Sequence, residues 1–164
     1  MPSPTPALTP TKSDKPAGLT LEALKNAVYP VEAAAGKKVR LKDGHYQETI
    51  QPGAASKVVV TLHPIFVLGD LNGDGIGDAA VILVIETGGS GSFMSLVAVL
   101  NDQGQPKPAA GLTLGDRLKV ESMSIGSGEI SIAAVTHGPK DPMCCPTQKT
   151  VLHYALQGDQ LVAR

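Results

Sequence analysis

The sequence predicts an α+β, mainly β fold: an antiparallel sheet, built as a sandwich or a partly closed barrel, with one short N-terminal helix. Three observations carry this. Short β-branched runs recur along most of the chain, and Gly, Asp, Asn and Pro punctuate them at turn-like intervals. Helical spacing of apolar residues is confined to one stretch near the N-terminus. No unit recurs at a fixed period, which sets aside a repeat architecture.

Residues 1–18 (MPSPTPALTPTKSDKPAG) are dense in Pro, Ser, Thr and Lys and have no periodic apolar face. Such a segment buries too little surface to offset the entropy of ordering, so a disordered tether is expected, followed by one globular domain over 19–164. Thr20 is the expected N-cap of a helix running to about Tyr29, with Leu21, Leu24 and Val28 on one face. Leu19 and Leu24 occupy the positions of a hydrophobic staple, and Pro30 is the expected stop.

From Lys37 the pattern turns to β. Val39–Lys42 alternates, and Asp43-Gly44 is a two-residue hairpin turn into His45–Ile50, a register that sets Leu41 opposite Tyr46. Lys57–Leu62 and Ile65–Leu68 are β-branched runs broken at His63-Pro64, where an edge, a bulge or a strand break is expected. Asp78–Glu86 (DAAVILVIE) is apolar on both faces and reads as a central strand. Gly88–Ser92 links it to Phe93–Leu100, and Asn101–Pro108 reads as a turn. Leu112–Leu114, Leu118–Ile125, Glu129–Thr136, Thr150–Leu156 and Gln160–Val162 complete the strands.

Composition narrows the function. The 164 residues suffice for a core without staples, and 42% of them are apolar. The aromatic residues are Tyr29, Tyr46, Tyr154, Phe66 and Phe93, with no Trp, so stacking platforms for bases or sugars are scarce. A formal net charge of −1, with both signs scattered, argues against a nucleic-acid partner. No apolar run approaches the roughly 20 residues of a membrane helix.

The strongest chemical signal is Gly69-Asp70-Leu71-Asn72-Gly73-Asp74-Gly75-Ile76-Gly77-Asp78. Asp70, Asn72 and Asp74 place side-chain oxygens at every second position, and Asp78 follows four residues on. On a loop curled by Gly73, Gly75 and Gly77 these oxygens converge, and a hard cation offsets the repulsion among the carboxylates. Calcium, with six to eight oxygen ligands, suits the set better than octahedral magnesium. The expected ligands are the side chains of Asp70, Asn72, Asp74 and Asp78 with the backbone carbonyl of Ile76 and water, in a structural role. A Gly/Asp/Asn turn held by its own Asx hydrogen bonds is the competing reading. An EF-hand does not fit, because Val81 stands where that loop needs its twelfth-position Glu and a strand follows.

Asp70, Asn72, Asp74, Gly75 and Asp78, followed by the apolar AAVIL run, resemble the strand-flanked DxNxDGxxD calcium loop of FG-GAP/VCBS-type proteins. The resemblance spans about a dozen residues, and a single copy does not imply a propeller. Over a longer span, GDLNGDGIGDAAV, the GGSGSF loop and THGPKDPMCCPTQ resemble uncharacterised bacterial envelope lipoproteins. That implies an extracytoplasmic location, periplasmic or surface-anchored. The Pro/Thr/Ser composition of the leader fits the tether left by a removed lipid anchor, and an ordinary disordered terminus of a cytosolic protein is the competing reading.

The second cluster is His137 to Cys145, in a Pro-rich connection between strands. Cys144 and Cys145 are expected to bond to each other, although adjacent Cα atoms lie about 3.8 Å apart, below the usual disulfide range of about 4.4–6.8 Å. Alternatively the thiolates join His137 and Met143 around copper or zinc, in a copper or thiol-redox accessory protein, or both remain inert thiols. Elsewhere, Gly88–Ser92 lacks the Gly-Lys-Ser/Thr of a phosphate loop, and Ser92 spoils a nucleophile elbow. His45, His63, His137 and His153 form no metal-ligand spacing. The linear order gives no enzyme, although a hydrolase with a spatially assembled Ser/His/Asp site stays open. The expectation is a non-enzymatic, calcium-stabilised extracytoplasmic binding or scaffolding domain.

Overall fold

A computed structural model describes residues 18–50, 52–53, 56–89 and 91–164. The expected tether, Gly18 apart, lies outside the described residues. The architecture is mainly β, and its antiparallel sheets do not close into a barrel, so a sandwich is the form taken.

The helix α1 (Leu21–Lys25) is capped by Thr20, whose Oγ1 accepts from the Ala23 N–H at 3.1 Å. It is shorter than expected. Asn26 leaves helical dihedrals, and its side-chain amide donates back to the carbonyl and carboxylate of Glu22, both at 2.9 Å. The chain then enters strand β1 (Val28–Pro30), so Pro30 ends a strand rather than the helix. Leu19 and Leu24 are buried as the staple requires, but Leu21 is 41% exposed and does not share the buried face.

β1 pairs antiparallel with β2 (Lys38–Arg40), Tyr29 opposite Val39. Asp43 and Gly44 both have positive φ, the geometry of a type I′ turn, and Lys42 bridges His45 across it. The hairpin ends there. Leu41 donates its N–H to the Ala27 carbonyl at 3.0 Å, and β3 (His45–Thr49) pairs with β4 (Lys57–Gly69) instead. The expected Leu41–Tyr46 pairing is thus replaced by two separate sheets, because Leu41 buries its side chain in the N-terminal core while β3 joins β4.

The larger sheet runs β3-β4-β5-β6-β7, with β5 (Asp78–Glu86) in the middle, β6 (Ser92–Asp102) beside it and β7 (Gln105–Asp116) at the edge. Between Leu62 opposite Leu83 and Phe66 opposite Val81, β4 advances four residues while β5 advances two. Of the alternatives at His63-Pro64 the bulge forms and the strand runs on unbroken, and the even excess keeps Leu62 and Phe66 on one face. The expected Asn101–Pro108 turn is only Gln103-Gly104, both at positive φ. Pro106 and Pro108 lie within β7, which tolerates them because it is an edge strand.

A second sheet, β11-β10-β9-β8, comprises β8 (Lys119–Gly126), β9 (Glu129–Thr136), β10 (Gln148–Gln157) and β11 (Gln160–Ala163). The five-stranded sheet lies between two cores. Ala79, Val81 and Leu83 of β5 face Leu24, Tyr29, Val39 and Leu41 of the N-terminal layer. Ala80 and Ile82 face Val120, Ile130 and Ile132 of the second sheet. The strand is therefore apolar at both parities. Tyr29 is fully buried and its hydroxyl donates to the Leu24 carbonyl at 2.8 Å, while burial pushes its ionisation far above the usual range for a phenol.

Candidate functional site

The loop from Asp70 to Gly77 joins β4 to β5 at one end of the central sheet. Gly73 and Gly75 hold positive φ, so two of the three glycines supply the curl; Gly77 does not need its missing side chain for that purpose. Leu71, 4% exposed, plugs the loop into the core between the sheets.

Asp70, Asp74 and Asp78 each offer a carboxylate oxygen, and these oxygens lie within 4.8 Å of one another. Oxygens bound to one calcium at about 2.3–2.6 Å can stand no more than about 5 Å apart, so this group can hold a metal ion. Asn72 and Ile76 stand on the same curl, with Asn72 Oδ1 accepting from the Asp74 N–H at 3.1 Å and the Ile76 N–H donating to Asp74 Oδ1 at 2.8 Å.

Backbone donors already crowd these oxygens. Asp70 Oδ2 accepts from the Gly75 N–H at 2.8 Å, and Oδ1 accepts from Gly73 at 2.7 Å and Asn72 at 3.2 Å. The Gly75 N–H foremost, then those of Gly73, Asn72 and Asp74, hold the Asp70 carboxyl below its ordinary range. A carboxylate has about four acceptor positions; Asp70 spends its own on the backbone, whereas Asp74 accepts from the Ile76 N–H and keeps room for a cation. The Asx turns and the metal cluster are therefore compatible features of one loop.

Asp78 is fully buried at the start of β5. Its Oδ2 accepts from the Leu71 N–H and its Oδ1 from the Asn101 N–H, both at 2.9 Å. Asn101, missed in the sequence, locks the loop to the β6–β7 turn: its amide donates to the Gly77 carbonyl at 3.2 Å and its Oδ1 accepts from Gly104 at 2.7 Å. An Asn followed by Gln103-Gly104 announces a turn, but nothing in linear order ties it to a residue 23 positions away.

In the second cluster Cys144 and Cys145 are joined by a disulfide. His137 Nε2 lies 3.0 Å from the Met143 carbonyl rather than on the sulfurs, and the Met143 side chain is largely solvent-exposed. Among the described residues, the one group of three or more metal-ligating His, Cys, Asp or Glu side chains is the Asp70 loop. The organiser of the Cys loop is Asp141, also missed: it accepts from the Gly138 N–H at 2.8 Å and from the N–H and hydroxyl of Thr147, both at 2.7 Å. Those bonds, Gly138 first, hold its carboxyl below the ordinary range.

Ser131 and His153 face each other across β9 and β10, with Oγ 3.0 Å from Nδ1. Glu129 reaches that same nitrogen at 2.9 Å. A relay needs the nucleophile and the acid on opposite ring nitrogens, and this group sits on the outer face of its sheet, away from the buried Ile130 and Ile132. No helix among the described residues is long and apolar enough to cross a membrane. No protein family, no curated protein and no solved structure matches this chain.

Proposed function

We propose that this chain is a calcium-stabilised, non-enzymatic domain that binds or scaffolds outside the cytoplasm. The observation that carries the reading is the approach of the Asp70, Asp74 and Asp78 oxygens to within 4.8 Å on one glycine-curled loop. Three hard carboxylate ligands with neighbouring backbone and water oxygens match calcium's preference for oxygen and its loose geometry. The role is structural, because the loop ties three segments together: β4, β5 and the β6–β7 turn. The Cys144–Cys145 disulfide supports an oxidising compartment, and with it the proposed location outside the cytoplasm.

Thermal unfolding with and without calcium tests this. At a calcium concentration about 100 times the dissociation constant, linkage raises the melting temperature by about 5–10 °C for a chain of this size. Asp74 is exposed and holds only the Ile76 N–H, so Asp74→Ala removes a ligand with little damage to the apo fold. The variant should melt at one temperature with or without calcium. No calcium-dependent shift in the parent chain at millimolar ion would overturn the reading.

A further inference from the structure

Away from the metal loop, a cleft of about 670 Å³ opens between the β1–β2 layer and the outer edge of β7. We propose that this cleft binds an organic anion carrying two or more phosphate or carboxylate groups. Its volume falls in the range of small-molecule sites. Lys38, Arg40 and Lys107 line it, against the single carboxylate of Asp159. Three cations facing one acid leave an excess of two positive charges, in a chain whose net charge is −1. The imbalance is local.

The strands set the arrangement. Val39 points into the core, so Lys38 and Arg40 project from the same opposite face of β2, roughly 6.6 Å apart along the strand. Lys107 stands across the cleft on β7. Arg40 donates to the Asn26 carbonyl at 3.2 Å, which ties its guanidinium beside the helix C-terminus. Among the described residues, none of the three cations forms an ion pair within the chain. Cations that line one concave site, each with hydrogen-bond donors to spare, are complementary to a multivalent anion.

The walls select the occupant further. Pro106 and Pro108 have no N–H to offer at the strand edge, so an added peptide strand cannot continue the sheet there. Pro and Ala side chains around them leave apolar surface for a short carbon skeleton.

The proposal does not rest on the calcium reading, and the test separates the two. Tripolyphosphate and citrate are titrated calorimetrically into the full chain in calcium-free buffer at fixed ionic strength, with acetate as the monovalent control. Saturable binding of either multivalent anion at one site is expected, and which of them binds identifies the head group. Charge reversal by K38E with K107E should weaken it about tenfold or more, since both cations are removed from the ligand. K119E with K149E makes the same change in net charge on the second sheet and should leave the affinity within about twofold. Circular dichroism confirms that each exposed-site variant is folded, and Asp74→Ala should bind the anion as the parent does. Failure of both anions to saturate, or equal weakening by the two double variants, would overturn the proposal.

Discussion

Each oxygen of Asp78 holds a different backbone N–H, one at Leu71 inside the loop and one at Asn101 on a neighbouring strand. Both bonds are buried, so removing the carboxylate strands two donors away from water. Leaving a buried donor unsatisfied costs about 1–3 kcal/mol, and Asp78→Ala should therefore lose about 2–5 kcal/mol even in calcium-free buffer, measured by urea unfolding. Asp74→Ala should lose far less under those conditions. The contrast separates the carboxylate that holds the fold from the one available to an ion. Asp70 and Asp141 give a pH signature. Both have folded pKa values below the unfolded value of about 3.9. Their stabilisation is therefore fully present above that value and is lost as pH falls through the folded values. Melting temperature in chelator should be flat from pH 7 to about 5 and fall below about 4. Asp141→Ala should start lower and fall less steeply.

Among the elements, the loop between β9 and β10 depends on Asp141 rather than on its disulfide. A bridge between adjacent residues closes almost no chain, and so removes little entropy from the unfolded state. Replacing Cys144 and Cys145 with Ser should change the melting temperature by less than about 2 °C, whereas Asp141→Ala removes three hydrogen bonds and should loosen the loop, read as faster amide exchange at Gly138 and Thr147. The helix and first hairpin show how local signals stop at the point where packing takes over. Thr20 and Asp43-Gly44 act as their chemistry dictates, but the helix ends at Lys25 and the hairpin at one bridge. In both cases the next residues are drawn into β1 or the core.

Across the whole molecule, the middle strands β5 and β6 alternate between the two cores, from Ala79 to Leu83 and from Leu96 to Val99. Ile82→Ala and Leu83→Ala open cavities in opposite cores. Each should cost about 2–5 kcal/mol, and each should shift one common unfolding transition, because both cores share the strand. Two separate transitions in calorimetry would mean that the layers unfold independently.

The amino-acid order alone determined the β class, an irregularity at His63-Pro64, the central place of Asp78–Glu86 and the position of the Asp70–Asp78 loop. These follow from local periodicity, turn chemistry and the spacing of oxygen donors, all of which act within a few residues. Tertiary structure decided what lies far apart in the chain: the division into three sheets, the partners of Leu41, the Asn101 lock on Asp78, and the gathering of Lys38, Arg40 and Lys107 around one cleft. Those pairings depend on which apolar faces bury against each other, and that competition among distant segments leaves no mark on local spacing.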